Sequence, residues 1–435
     1  MKYVSEIQAA ANNPEQLEQL YQSSRQVNEE TEFRTDLQDT FENEPDNLLL
    51  SAWHSRFAHL PLQKPKRTTH WGLAVGMGVI TGLILWMISD FQWQFLDKIP
   101  YFFILWAPIA TIPTLVYLAV ISKRNYRYTV ISSIGLIVAS AYVLLIAPMM
   151  SDLASQDYLT LMIITLPLLC WIGLGVAVLG LGSRDTNRFA FLIKSIEVMI
   201  TAGIYLIFGI ALGMITMGMF SALNVTLPDT IIRLFAMGGL GLIPIIAVAT
   251  IYDPQLSPEE QDFNQGLSKL IFTMVRLLLP LSLLVLVIYV FVIPLNFMAP
   301  FQNRDLLIVY NVMQFAIIGL LIGATPLKVD DLSIKLQSWL RRGIVAVAIL
   351  ALGISLYALS AVIYRTVMDG FTLNRTTIIG WNIINIIILF AIILTQPRKS
   401  ISGWNERLQK VFSKATTAYL AWSIFLIVVL PLIFR

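Results

Sequence analysis

From Trp71 to Phe434 the chain alternates long apolar runs with short polar connectors. A membrane-spanning helix needs about 20 mostly apolar residues at about 1.5 Å rise each. Runs of that length lie at 71–89, 100–122, 128–150, 158–181, 192–220, 231–251, 270–297, 305–324, 343–365, 376–395 and 416–434. They predict an all-α, polytopic integral membrane protein with about 11 transmembrane helices.

The pattern before Trp71 is different. Two amphipathic pieces, "NPEQLEQLYQSSRQVNEETEFRTDLQDTFENEPDN" and "LLLSAWHSRFAHLP", are polar enough to predict short helices outside the bilayer. Leu17, Leu20 and Tyr21 recur at helical spacing, and Asn13 with Pro14 makes an N-cap and first-turn pair. So small a unit buries little core alone, so it is expected to pack on the membrane helices, on a second copy, or on a soluble partner. The opening residues also lack the apolar core of a cleavable signal. A further break at "GLGSRDTNRFAFLIKS" suggests three parts: a helical segment over 1–70, four spans over 71–181 and about seven over 182–435.

Composition agrees, with 57% of residues hydrophobic and 13% charged, outside the usual range of soluble domains. Orientation follows from Lys and Arg, which are retained on the cytoplasmic side. One set of connectors carries Lys64, Lys66 and Arg67; Lys123, Arg124 and Arg127; Arg184, Arg188 and Lys194; Lys328, Lys335, Arg341 and Arg342; then Arg398, Lys399, Arg407, Lys410 and Lys414. The alternate set, including "SDLASQD" and "APFQNRD", is nearly free of cations. The amino terminus is therefore expected inside and the carboxyl terminus outside. The acidic connector "YDPQLSPEEQDFNQGLSK" is also placed inside, because Asp and Glu carry little weight in this rule.

Candidate chemistry is sparse. Histidine occurs only at 54, 59 and 70, before the first span, which excludes His-ligated metal, haem or a His proton relay within the bilayer. The single cysteine, Cys170, lies in an apolar run and forms no intrachain disulfide. No Walker A motif, H-E-x-x-H helix or G-x-S-x-G elbow appears, so no cofactor and no catalytic motif is expected, and nothing points to nucleic acid. The glycines of "GLGVAVLGLG" and "GMITMG" are read as close-packing positions.

Charges within spans are costly unless paired. Glu197 and Arg276 sit at similar depth in two outward-running spans, as an interhelical ion pair or, for Glu197, as a local pair with Lys194 or an ion-coupling carboxylate. Asn311, Gln314, Asn382 and Asn385 form an amide group suited to interhelical hydrogen bonds or a polar cavity wall. Pro108, Pro113, Pro167, Pro244 and Pro280 interrupt their helices. In "YRTVMDGFTLNR", Gly370 permits a tight turn and Asn374 is placed to cap the next helix. Arg233, Arg365 and Arg375 either snorkel to lipid phosphates or converge on one anionic headgroup, with Asp369 orienting an arginine.

The stretches "FAFLIKSIEVMI", "GLSKLIFTMVRLLLPLSLLVLVIYVFVIPL" and "SWLRRGIVAVAILALGISLYALSAVIYRTVMDGFTLNRTTIIGWNII" resemble a family of bacterial polytopic membrane proteins known as domain of unknown function 4153. The resemblance spans roughly residues 180–395, and its most specific element is a Gly-x-Thr-x-x-Arg turn at Gly370, Thr372 and Arg375. It implies a bacterial inner-membrane setting and supplies no catalytic residue. Two functional readings follow: a transport-like or lipid-handling protein, or an accessory or sensor protein that recruits a partner through residues 1–70.

Overall fold

The computed structural model describes residues 3–26, 29–59, 69–123, 126–223, 225–263, 266–329, 332–396 and 403–434. Of the cations assigned to the cytoplasmic side, Lys64, Lys66, Arg67, Arg124, Arg398 and Lys399 lie outside the described residues. The chain is 84% helical, which fixes the class as all-α. It divides into two compact units, Met1–Thr69 and His70–Arg435.

The first unit holds α1 (Val4–Ala10), α2 (Pro14–Gln26), α3 (Glu30–Asn43) and α4 (Leu48–His59). Asn13 caps α2 as expected, its Oδ1 accepting the amides of Glu15 and Gln16. The four helices close a core of their own around Ile7, Leu17, Phe33, Leu37 and Leu50, so no outside surface is needed to complete it. Tyr21, Trp53 and Phe57 pack edge-on or tilted around Phe33, and Arg34 and Arg56 lie over the Phe57 and Trp53 rings. His54 stacks on Phe41 at 4.6 Å. Tyr3 donates its hydroxyl to Glu29, and that bond together with burial pushes the phenol up to about 12.

The second unit contains α5 (Trp71–Ile88), α6 (Tyr101–Ser122), α7 (Tyr126–Ile146), α8 (Asp152–Leu179), α9 (Asp185–Ala222), α10 (Asp229–Ile251), α11 (Gly266–Val292), a short α12 (Ala299–Gln302), α13 (Arg304–Ala324), α14 (Ile334–Asp369), α15 (Leu373–Leu394), α16 (Trp404–Ile424) and a last turn, α17 (Leu430–Ile433). Among the described residues, 11 helical segments are long and apolar enough to cross a membrane. The chain is a multi-pass membrane protein. Several helices overrun the apolar stretch that predicted them; α9 and α14 reach about 57 and 54 Å at 1.5 Å per residue, well beyond a hydrocarbon core of about 30 Å.

The expected division of the spans between residues 181 and 182 is not a structural boundary. Residues 70–435 form one unit, and α5 from the early group lies tightly against α10 from the later one. Glycine makes that approach possible: a Cβ on Gly241 would fall 2.4 Å from the Cα of Gly82, and one on Gly82 would fall 2.8 Å from the Cα of Gly238. The Trp86 indole donates to the Thr230 carbonyl and Arg233 pairs with Asp90 at 3.4 Å, fastening the other end of the same helix pair.

Pro431 cannot donate to the carbonyl of Ile427 four residues back, and a π-helical turn, Phe425–Val429, precedes it. Two tyrosines from neighbouring helices take up the slack: fully buried Tyr158 donates to the Ile427 carbonyl at 2.8 Å and Tyr142 to the Val428 carbonyl at 3.0 Å. In hydrocarbon such carbonyls have no water to turn to.

Two outcomes are expected. Gly241→Val drives a side chain into the α5 backbone and lowers the unfolding temperature of the detergent-purified protein, whereas Gly209→Val, at a position with open space around it, leaves it unchanged. A phenol whose folded value of about 12 exceeds its free value of about 10 stabilises the fold below pH 10 and loses that contribution as pH rises through 12. Melts between those pH values therefore fall more steeply for the native protein than for Tyr3→Phe.

Candidate functional site

Lys194, on α9, is a charged residue inside the membrane unit and only 2% exposed. Its ammonium pairs with Glu197 at 2.8 Å, one helical turn on, donates to the carbonyl of Asp262 and lies 4.4 Å from the Phe263 ring centroid. Asp262 and Phe263 belong to the connector between α10 and α11, which folds back over the start of α9 as a braced cap. Gln261 ties the cap internally, donating to the Asp253 carbonyl at 2.7 Å and accepting the Asp253 amide at 2.9 Å. Ser257 and Glu260 form a capping box, and Glu259 receives the Thr186 hydroxyl while its own amide donates to Asn187.

Beside this cap lies a cavity of about 330 Å³ between α6, α8, α9 and α10. Its walls are chiefly apolar and aromatic, with Trp106, Trp171 and Phe191 among them, while Thr111, Thr114, Cys170, Lys194, Ser195 and Tyr252 bring in polar groups. Pro167 and Pro244 also line it, each breaking the backbone ladder of its helix where the space opens. The indole N–H of Trp171 is buried with no hydrogen-bond partner among the described residues. A second cavity of about 200 Å³ lies at the helix ends nearby, and the two share Leu118, Val178 and Tyr252 as wall residues. Burial raises the Tyr252 phenol, keeping it a neutral donor.

The structure rearranges the charges singled out in the sequence. Of the alternatives for Glu197, the local pair with Lys194 forms and the one with Arg276 does not; the Nε of Arg276 is buried without a hydrogen-bond partner among the described residues. Equal depth on two helices does not make two side chains face each other. Arg233 does not join Arg365 and Arg375 either, since Asp90 holds it at the α5–α10 end, whereas α14 and α15 pack on each other. Arg375 closes its own turn, bonding Asp369 Oδ2 and the Gly370 carbonyl, both at 2.7 Å. Gly370 has φ +84°, and Thr372 rather than Asn374 is the N-cap, its Oγ1 accepting the amide of Arg375. The Gly-x-Thr-x-x-Arg pattern is thus a self-contained helix–turn–helix clasp. Arg365 stands apart, with one buried guanidinium nitrogen unpartnered among the described residues.

The four amides do converge. Tyr419 of α16 donates to Asn385 Oδ1 (2.7 Å), Asn385 to Gln314 Oε1 (3.3 Å), Gln314 to Asn382 Oδ1 (2.7 Å), Asn382 to Asn311 Oδ1 (2.7 Å), and Asn311 to the Leu307 carbonyl (2.7 Å). Every link points the same way, so the chain polarises itself head to tail across α16, α15 and α13. Tyr419 was not legible as its first member. The cap residues Gln261 and Asn187 were missed as well, although "SPEE" carries the Ser-x-x-Glu signature of a capping box.

No family model, no curated protein and no solved structure matches this chain. The fold and site together define a multi-pass helical membrane protein with an intramembrane cavity beside a capped lysine.

Removing one partner of a buried ion pair costs about 3–5 kcal/mol, while replacing both by apolar groups is close to neutral. Lys194→Met is therefore expected to lower the unfolding temperature sharply, and Lys194→Met with Glu197→Leu to recover most of it, as followed by thermal size-exclusion assays in detergent.

Proposed function

We propose that the chain is a lipid-handling protein that takes an amphiphile into the cavity between α6, α8, α9 and α10, in the bacterial inner-membrane setting, which alone is what the resemblance over residues 180–395 implies. The observation that carries this reading is the cavity itself: about 330 Å³, within the range of ligand pockets, apolar over most of its wall and furnished with a few convergent polar groups. Lys194 and the 252–263 cap stand at one end, the end for which the distribution of Lys and Arg favours the cytoplasmic side. A pocket so lined suits an acyl or isoprenoid chain better than a hydrated ion, for which the wall offers no ring of oxygens.

An accessory or sensor role is the second reading. It is favoured by the amino-terminal unit, which closes its own core and in which acidic residues outnumber basic ones up to residue 59. A cytoplasmic partner with a basic face suits that surface.

Thr111→Phe fills the cavity from the α6 side. Native mass spectrometry of the protein released from bacterial membranes is expected to show a retained lipid-mass adduct on the native chain and at least a tenfold lower adduct fraction on Thr111→Phe. A bare native chain, or equal adducts on both, would leave the accessory reading in place.

A further inference from the structure

The cavity between α6, α8, α9 and α10 carries no net formal charge. Among the described residues Lys194 is the one charged side chain in its wall, and Glu197 matches it at 2.8 Å. A charged head set beside that pair would be buried without a counter-charge of its own, which is strongly unfavourable. Trp106 and Met199 belong to the same wall and are 37% and 68% exposed, so the wall reaches the lipid-facing surface of the unit. They lie about 24 and 21 Å along their helices from Ser122 and Asp185, the ends of α6 and α9 on the side of the cap. Both are thus deep within a hydrocarbon core of about 30 Å, where a charge is costly and a neutral lipid is at home.

The neutral polar groups of the wall are biased in what they offer. Thr114 donates its hydroxyl to the Ala110 carbonyl and Ser195 to that of Phe191, both at 2.8 Å. Each oxygen has committed its only hydrogen and keeps its lone pairs, so toward a ligand it accepts. Trp171 is the converse: its indole N–H can only donate, and it has no partner among the described residues. Thr114, Trp171 and Ser195 stand about 12, 12 and 15 Å from the ends of α6, α8 and α9 on the cap side, and so at one level of the cavity. The oxygens of a phosphate dianion or a carboxylate only accept, and they would meet lone pairs at both hydroxyls. An alcohol donates and accepts, and it can satisfy all three groups.

From these observations we infer that the cavity selects a lipid whose head is an uncharged alcohol, held at the level of Thr114, Trp171 and Ser195, with its hydrocarbon tail running toward Trp106 and Met199. This rests on the reading of the cavity as an amphiphile site and adds the class of head that it takes. Lys194 stays with Glu197 and the cap, as part of the wall and not as the group that recognises the head.

The test uses the full chain, delipidated in a neutral detergent, and three probes with the same oleoyl chain: monooleoylglycerol, methyl oleate, whose ester only accepts, and oleoyl lysophosphatidate. Monooleoylglycerol is expected to bind at least about tenfold more tightly than either of the others, as read by native mass spectrometry. Thr114→Val and Ser195→Ala, made separately so that one misfolded variant does not silence the test, should each cut its advantage over methyl oleate by about threefold or more. Methyl oleate binding should stay intact in both, which also shows that they are folded. Lysophosphatidate bound as tightly as monooleoylglycerol would overturn the uncharged head and leave the apolar cavity standing. Equal affinity for methyl oleate, or an advantage that neither variant moves, would overturn the assignment of the head to these hydroxyls. Binding of none of the three probes would remove the cavity reading, and this inference with it.

Discussion

A buried ammonium is the constraint around which the α9 half of the membrane unit is organised. Lys194 is almost wholly withdrawn from the surface, and an isolated charge there would cost far more than a domain can supply. It is tolerable because a carboxylate one turn away, a backbone carbonyl and an aromatic face all reach it. Two of those three partners come from the α10–α11 connector, so satisfying one charge also decides where residues 252–263 lie. Once the loop is pinned, Tyr252 at its start is fixed between the two cavities, and Thr186 and Asn187 at the head of α9 acquire partners in Glu259. The geometry of the site descends from that one lysine.

The α13–α15–α16 half solves the same problem without charge. Asn382 and Asn385 are entirely buried, and each amide there both gives and receives a hydrogen bond. Phe315, Trp381 and Tyr419 pack around one another at 5.3–6.4 Å and shield the end of the chain at α16. In one half the polar groups sit beside open space; in the other they are consumed by each other.

Much of this was legible in the chain and some was not, for identifiable reasons. The spans were, because about 20 apolar residues in a row admit few alternatives in hydrocarbon. Asn382 and Asn385, three residues apart, share a helix face, and their pairing with Asn311 and Gln314 follows from the cost of leaving amides alone in a membrane. Rotational facing is what a one-dimensional reading lacks: it left Glu197 open between Arg276 and Lys194, and Arg233, Arg365 and Arg375 open between snorkelling apart and converging, where the structure pairs Glu197 with Lys194 and Arg233 with Asp90. Glycine shows the same limit. Gly213 and Gly218 of "GMITMG" meet nothing within 4 Å, while the backbone contact that needs glycine is at Gly82 and Gly241, on helices distant in sequence.

The amide chain has a polarity that cannot be reversed. Its last acceptor is a backbone carbonyl, Leu307, which can only receive, so Asn311 must present its nitrogen there and every later amide is obliged to follow. Sliding α15 along α13 by one turn would not exchange these bonds for equivalents; it would break the interhelical links together. The three helices are in effect keyed like a lock with a single cut, and they behave as a rigid stave. Any rearrangement around the cavity would therefore fall elsewhere, among α6, α8 and α10, whose helices are interrupted by Pro108, Pro113, Pro167 and Pro244.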